Sequence, residues 1–457
     1  MIDEFDKTSE LEMKKAEYDA IPVISYAQLK EVVNKWLLII DPGVVKLVLA
    51  TIISNRIPSD PVWLFLLAPS GGGKTELMNA LLKCPDYYPL SQLTTNTFLS
   101  GYKKKDTEAS LLKRLKYGTT IGLKDFTSIL DGNKDDMKDI MGQFREIYDG
   151  HMKKTTGTGD EIVWSGKIGF LAGCTPILEQ RMSMIGAMGE RFLNYKMKQP
   201  VRRLLRAKMR ENIGKEGKMR EELQDAFAGF LKGVEIPEEL PKVSEKVDTI
   251  IESMTDFIAI SRSVVMRGWD TKKEIEYISE PEMSSRTYKQ LYAIALSLMI
   301  INNGEWFEED DYILRKLAIS SVHSIRYNLI RHLMTYKTQV KTSTLATELG
   351  YPTSITRRYL EDLGAISMDD GAIRIINRDH QGTGRPDLWG ITPEMKEILR
   401  LMGEEVEPTK EDSGFEETEQ DVAVGVSGNG KYEENKLAEV DYLTEGMSQS
   451  EKESLGI

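Results

Sequence analysis

Cysteine is nearly absent from this chain. Among 457 residues there are two cysteines, Cys84 and Cys174, which are too few for a disulfide framework and have no spacing typical of a metal site. The N-terminus does not read as a secretory leader. The sequence therefore predicts a protein of the reducing cytoplasm.

Long hydrophobic runs are also lacking. The most apolar stretch, residues 36–53, is interrupted by Asp41, Pro42, Gly43 and Lys46, whereas a membrane helix needs about 20 consecutive apolar residues. The stretch predicts two core helices joined by a turn, and no membrane is expected as a partner.

Most of the chain carries no excess charge of one sign. The formal net charge is −12, but residues 404–457 contain sixteen acidic and four basic residues and so account for all of it. The nearly neutral remainder leaves nucleic acid open as a partner, because local basic patches matter more than the total. The acidic segment is expected to be disordered, and either to discourage non-specific DNA binding or to dock a protein partner.

What the chain does contain is a phosphate-binding pattern between a strand and a helix. Residues 61–67 are an apolar run that predicts a buried strand, and residues 76–82 continue as an amphipathic helix. The segment between them fits a P-loop, in which glycines let successive backbone N–H groups face a phosphate. The predicted nucleotide-binding residues are Pro69, Ser70, Gly71, Gly72, Gly73, Lys74, Thr75 and Glu76.

Two side chains of this loop have expected roles toward ATP and Mg²⁺. Lys74 is expected to reach the β- and γ-phosphates, and the Thr75 hydroxyl is placed to bind the metal ion. The first glycine of the G-x-x-x-x-G-K-[ST] pattern is replaced by Ala68, which the loop tolerates only if that position is not left-handed. A glycine-rich turn that binds nothing is the alternative.

An acid follows the next predicted strand. The buried run at residues 119–126 includes Asp125, whose carboxylate would sit beside the loop and hold Mg²⁺ through water. The glutamate that usually follows, and that polarises the attacking water, is Phe126 here. Glu146 is the best substitute by residue type, although an ordinary surface acid is an equal alternative. If no acid does this work, hydrolysis is weak.

The order of the following parts is that of a known family. A hairpin is predicted within residues 150–168, and a buried strand at 167–176 ends near Thr175, which would sense the γ-phosphate or merely cap the strand. Together with the segment 187–193, this order resembles the AAA+ ATPases, most of all the branch of MCM helicases and enhancer-binding activators. The resemblance covers roughly residues 55–400.

The resemblance implies roles for two arginines. Arg191 would be an arginine finger that reaches the γ-phosphate of the neighbouring subunit in a homo-oligomeric ring, with a salt-bridged helix arginine as the alternative. Arg286 matches the arginine at the start of a lid helix that contacts the nucleotide. Arg262 and Arg267 are weaker candidates for that second role.

Residues 342–389 resemble a winged helix-turn-helix. The second helix, residues 355–363, would enter the major groove of DNA, while Arg378, Lys396 and the wing at 382–385 would meet phosphates. Protein binding is the alternative for such a domain. The predicted DNA-contacting residues are Ser354, Thr356, Arg357 and Arg358.

The predicted fold is α/β: a P-loop NTPase (AAA+) three-layer sandwich with a helical lid and a C-terminal winged helix-turn-helix. The function expected is an ATP-binding and ATP-hydrolysing protein acting on DNA in phage or mobile-element replication, helicase-like or an initiator. A nucleotide-switched transcription regulator and a weakly hydrolysing scaffold are the alternatives. The predicted divisions are an N-terminal helical segment (1–54), the nucleotide-binding domain (55–210), the lid (211–335), the winged helix (336–403) and the acidic tail (404–457).

Overall fold

A computed structural model describes most of the chain, and no helix in the described part is long and apolar enough to cross a membrane. The predictions for the acidic tail beyond residue 412, the hairpin tip, the segment 187–190 and part of the wing lie outside the described residues. The described residues are 15–100, 110–130, 132–155, 161–180, 191–268, 274–368, 371–382 and 385–412.

Helices and strands alternate in the first half of the chain, and helices dominate the second. The strands are β1 (Trp63–Leu67), β2 (Tyr87–Leu90), β3 (Thr120–Leu123), β4 (His151–Thr155), β5 (Glu161–Ser165), β6 (Gly169–Cys174), β7 (Leu193–Lys196), β8 (Val265–Arg267), β9 (Ile275–Ile278), β10 (Val340–Lys341), β11 (Ser367–Met368), β12 (Ile373–Arg374), β13 (Ile376–Asp379) and β14 (Leu388–Ile391). The helices are α1 (Tyr26–Trp36), α2 (Val44–Arg56), α3 (Lys74–Asn79), α4 (Leu111–Arg114), α5 (Thr127–Leu130), α6 (Lys134–Tyr148), α7 (Arg202–Asn212), α8 (Glu216–Gly233), α9 (Glu245–Arg262), α10 (Ser285–Ile301), α11 (Glu308–Ser320), α12 (Ser324–Met334), α13 (Thr342–Leu349), α14 (Thr353–Ala365) and α15 (Pro393–Leu401).

A five-stranded parallel sheet lies at the centre, in the order β2-β3-β6-β1-β7. In the register, Leu67 at the end of β1 lies beside Cys174 at the end of β6, and Leu123 of β3 lies beside Ala172. The carboxyl ends of these three strands therefore meet at one edge. The α/β class and the three predicted buried strands are confirmed.

Both faces of β1 are buried, as is typical of a parallel strand covered by helices on each side. Trp63, Phe65 and Leu67 point into a core shared with α4, α5 and α6. Leu64 and Leu66 point into a second core shared with α2, α3 and the helices that follow the sheet. This alternation explains why the strand reads as a continuous apolar run, and it makes the sheet the middle of three layers.

Aromatic rings fill the core beneath β1. Phe65 stacks on Phe192 with ring centroids 4.1 Å apart, and Trp63 lies 5.0 Å from Phe170. Phe126 joins this cluster, 4.7 Å from Phe65. Offset and edge-on ring pairs of this kind stabilise a core beyond their buried area.

The C-terminal part contains the two helices predicted from its sequence. Helix α13 ends at Gly350, whose φ of 66° is left-handed, and α14 follows after a short turn. Strands β10, β14 and β13 form an antiparallel sheet beside them, and buried Trp389 donates its indole N–H to Thr342 across 2.8 Å. The arrangement is a helix-turn-helix supported by a small sheet.

Lys167 generates a prediction about stability and pH. Its buried ammonium donates to the carbonyls of Ser54 and Ile57 at the end of α2, and burial, opposed by Asp60, lowers its pKa from 10.5 to about 8. Between these values the unfolded chain holds a proton that the folded chain has lost. The free energy of unfolding of the wild type should therefore rise relative to that of Lys167→Met by up to about 1.4 kcal/mol per pH unit. Denaturant titrations across pH 8 to 10.5 measure this, and a constant difference would contradict it.

Candidate functional site

The glycine-rich loop after β1 has the backbone that its sequence predicts. Gly71 and Gly73 have φ values of 79° and 86°, a left-handed conformation that other residues rarely adopt. A Cβ atom at either glycine would meet nothing within 4 Å. The requirement for glycine at these two positions is therefore conformational, and the loop leaves open space above its backbone.

Ala68 satisfies the condition that the sequence analysis set for it. The only residue other than glycine with a positive φ in the described part of the chain is Asn303, so Ala68 is not left-handed. Its methyl group closes over Gly72, where a Cβ atom would lie 2.8 Å from the Ala68 Cβ and 3.0 Å from the Pro69 carbonyl oxygen. Position 72 therefore needs glycine for space.

Lys74 points back into the loop. Its ammonium donates to the carbonyl oxygens of Ala68 at 2.5 Å and Pro69 at 3.0 Å, and the residue is 8% exposed. Burial lowers its pKa, although Cys174 and Asp125 act in the opposite direction. A buried ammonium inside a loop of open backbone is suited to pair with an anion entering that loop.

The strand ends bring two further predicted residues to this edge. Asp125 is exposed and accepts the backbone N–H of Thr127 at 2.9 Å. The Thr127 hydroxyl lies 3.3 Å from that of Thr175, which follows β6. Lys74, Asp125 and Thr175 therefore share the carboxyl edge of the sheet. Sequence reasoning missed Thr127 because it follows Phe126 and reads only as the start of a helix.

The side chain of Phe126, at the position where the water-polarising glutamate was expected, is directed into the core and away from the sheet edge. Its N–H donates to the carbonyl of Gly173 at 2.8 Å, and its ring is fully buried in the aromatic core. The substitution thus contributes packing in place of a carboxylate.

Glu146 is not brought to the loop of its own chain. It lies on the exposed side of α6, whose buried side includes Phe144 and Ile147. The last residue of α6, Tyr148, packs at 5.2 Å on Trp63, the first residue of β1. Glu146 therefore lies toward the amino edge of the sheet, opposite the glycine-rich loop.

Arg191 and Arg286 both lie beside Tyr148 at that same amino edge. Their guanidinium groups lie 5.6 and 5.7 Å from the centre of the Tyr148 ring, and burial together with the nearby charge of Arg286 lowers the pKa of Arg191. Arg191 also pairs with Asp149 at 3.5 Å, and Arg286 pairs with Glu282. The length of β1, five residues or about 16 Å, separates both arginines from the loop.

The two weaker candidates are engaged in structural contacts. Arg262 donates to the carbonyl oxygens of Ser321 at 3.0 Å and Phe192 at 2.7 Å. Arg267 pairs with Glu361 and Asp362 on α14 at 3.0 and 2.7 Å. These contacts therefore place neither arginine at the glycine-rich loop.

A cavity of ≈ 380 Å³ opens beside the loop glycines. Its size is that of a small-molecule site, and apolar side chains form most of its wall. Most of this wall could not be predicted from the sequence, because its parts come from α1, the end of β7, α7 and α8. The lining residues are Trp36, Leu37, Leu38, Ile39, Gly71, Gly72, Gly73, Glu76, Met197, Lys198, Gln199, Pro200, Leu205, Lys208, Met209, Asn212, Ile213, Glu216, Met219 and Arg220.

No protein-family model matches the sequence, and no curated protein matches it. The features that bear on function are therefore the loop, the sheet edge, the cavity and the exposed surface of the C-terminal helices.

The predicted DNA-contacting residues fall into three groups. Ser354 and Arg357 are exposed near the start of α14. Arg358 is half-buried, and its carbonyl accepts from Arg267 at 3.1 Å. Thr356 is fully buried and donates its hydroxyl to the carbonyl of Pro352, so its assignment to a DNA-contacting face was wrong. Helical periodicity turns this position toward α13.

The other predicted phosphate contacts also differ in availability. Lys396 is exposed on α15. Arg378 pairs with Asp387 at 2.7 Å and lies 5.3 Å from the Trp389 ring, so a phosphate would have to compete with that carboxylate. Wing residues 383–384 lie outside the described part of the chain.

The close approach of Gly72 and Ala68 generates a prediction. Gly72→Ala should lower the free energy of unfolding by about 1–3 kcal/mol through overpacking, and adding Ala68→Gly should recover part of the loss because it removes the Ala68 methyl group, 2.8 Å from the added Cβ. Urea unfolding of the wild type and of both variants measures this.

Gly71→Ala is the matched control. Its loss of unfolding free energy should come from the left-handed φ alone, because no atom lies within 4 Å of an added Cβ. Ala68→Gly should therefore not rescue it, and equal rescue of both variants would refute the steric explanation.

Proposed function

We propose that this protein binds ATP with Mg²⁺ at the carboxyl edge of its sheet and hydrolyses it as a member of the P-loop AAA+ class. The observation that carries the proposal is that the left-handed glycines, Lys74, Asp125 and Thr175 lie at one edge of the sheet, where the same glycines also line a cavity. In α/β sheets, ligands bind outside the carboxyl ends of the strands, where neighbouring connections leave toward opposite faces. Here α3 follows β1 into one core, and Leu178 follows β6 into the other.

Each part of the nucleotide has a matching surface. Open backbone at Gly71 and Gly73 suits phosphate oxygens, and the ammonium of Lys74 would exchange its two loop carbonyls for them. The mostly apolar cavity next to these glycines suits a base. The convergence therefore supports a nucleotide better than it supports an isolated anion.

The residues at the edge also fit Mg²⁺, which prefers oxygen ligands and retains several waters. Thr75 and Asp125 are exposed, and Asp125 uses one carboxylate oxygen for Thr127. These two side chains would hold the ion, directly or through water. Bound there, Mg²⁺ would neutralise charge on the phosphates.

The arginine pair supports an oligomer. Arg191 and Arg286 lie at the edge opposite the loop, so they would act on a nucleotide held by a second copy of the chain. A contact between one edge and the opposite edge of the next copy is heterologous, and such contacts close into rings when the rotation permits. Both arginines would then compensate charge on the same transferred phosphoryl group.

Action on DNA is proposed for the C-terminal helices. The start of α14 presents Ser354 and Arg357 to solvent, and the first turn of a recognition helix is the part that reaches base edges. The other end of α14 is held against β8 by Arg267. A role in DNA replication of a phage or mobile element rests on the family resemblance.

One observation favours a second candidate, a nucleotide-binding scaffold with little turnover. Phe126 is buried in the core and leaves no carboxylate at the position that commonly polarises the attacking water. Hydrolysis by the isolated chain should therefore be slow and should depend on assembly.

Active-site complementation tests the oligomer. Lys74→Ala should lose ATP affinity because the loop loses its cation, whereas Arg191→Ala should bind ATP and lose turnover. Mixing the two inactive variants should restore part of the ATPase activity, because some interfaces combine an intact loop with an intact arginine. Phosphate release measures it.

Arg286→Ala provides the discriminating control. It should be rescued by Lys74→Ala but not by Arg191→Ala, because every interface in that second mixture lacks one of the two arginines. Normal turnover by Arg191→Ala alone would show that the finger assignment is wrong.

DNA binding has its own test. Arg357→Ala should weaken duplex binding by about 1–3 kcal/mol if it reads a base, or lower the salt slope by about one if it meets a phosphate. Arg400→Ala is the control, because this exposed arginine of α15 already pairs with Glu397. Fluorescence anisotropy at several salt concentrations measures both, and equal effects would contradict a role for α14.

A further inference from the structure

We propose that Asp41 is a positioning residue of the nucleotide site, holding together two walls of the base cavity and tying them to α11; this inference rests on the proposed function. Asp41 does not line the cavity itself. It is 1% exposed, and a carboxylate so deeply buried is retained in a fold only when donors surround it.

Three elements donate to this one carboxylate. The Tyr195 hydroxyl of β7 lies 2.7 Å from Oδ1, and the backbone N–H of Lys198 lies 2.9 Å from Oδ2. The Lys316 ammonium of α11 also donates to Oδ2. Burial lowers the pKa of Lys316 to about 8, and the charge and hydrogen bond of Asp41 offset only part of that effect.

These contacts join the two walls of the cavity. One wall is formed by Leu37, Leu38 and Ile39, which lie just before Asp41 in the chain. Another wall is formed by residues 197–200, which include Lys198, the backbone donor to Asp41. The Gln199 side chain in turn lies against the loop, since a Cβ on Gly72 would fall 2.7 Å from its amide oxygen. The carboxylate therefore sets the spacing between both walls and the phosphate loop.

The same segment packs tightly on α11. A Cβ at Gly43 would lie 2.4 Å from the side chain of Ile313, so the backbone just after Asp41 touches this helix directly. Arg315, on the same helix, donates to the carbonyl of Met402 at 2.9 Å. The segment after the cavity wall and Met402 at the end of α15 thus both contact α11.

The test separates the base cavity from the phosphate loop. Calorimetric titration with Mg-ATP measures an affinity to which the base cavity and the phosphate loop both contribute. Titration with magnesium and inorganic triphosphate measures the affinity of the phosphate loop alone. Asp41→Asn should weaken ATP binding by about tenfold, the loss expected for a charge-assisted contact, and should leave triphosphate affinity within about twofold.

Asp41→Asn leaves the Lys316 ammonium buried without its counterion, which can prevent folding. The double variant Asp41→Asn with Lys316→Met removes both charges and should show the same selective loss of ATP. Asp310→Asn is the matched control: it breaks another buried pair on α11, with Lys46 at 2.6 Å, but Asp310 accepts from Lys46, Asn302 and Phe307, which do not line the cavity, whereas Asp41 accepts from Lys198, which does. It should change stability and keep the ratio of the two affinities.

The outcomes are distinguishable. Equal loss of ATP and triphosphate affinity, or no loss of either, in a folded Asp41 variant would overturn the positioning role while leaving the nucleotide site intact. The same change of ratio in Asp310→Asn would also overturn it. If the wild type binds neither ligand, the proposed function is wrong and this inference falls with it.

Discussion

The parallel pairing of β1 with β6 and β7 is the constraint on which the rest of the structure depends. It aligns the carboxyl ends of β1, β3 and β6 at one edge, so side chains that are 50 residues apart in the chain become neighbours. Burial of β1 on both faces holds this register, because a shift by one residue would exchange the aromatic face for the aliphatic one. That pairing determines the positions of the loop, Asp125 and Thr175.

The opposite ends of the same strand carry complementary chemistry. The loop and its cation lie beyond Leu67, and two arginines lie around Tyr148, beside Trp63. A single chain therefore separates a site able to hold phosphates from the cations best suited to compensate charge on them. This polarity supports the proposed head-to-tail assembly.

Two departures from the expected P-loop pattern have local physical explanations. Ala68 keeps a negative φ, and the space its methyl group takes is matched by glycine at position 72. The Phe126 ring packs in the aromatic core, where it contacts the Phe65 ring. The first departure preserves the loop, whereas the second removes a carboxylate from the position where it is usually found.

The sequence by itself determined the local features of this protein: apolar runs for β1, β3 and β6, left-handed glycines in the loop after β1, and the two helices of the C-terminal part. These follow from propensities that act over a few residues. Only the tertiary structure decided that Thr356 is buried, that Glu146 lies away from the loop, that Arg286 joins Arg191, and that distant segments wall the cavity. Each depends on which strand ends and helix faces meet, and such long-range packing leaves no periodic signal in the chain.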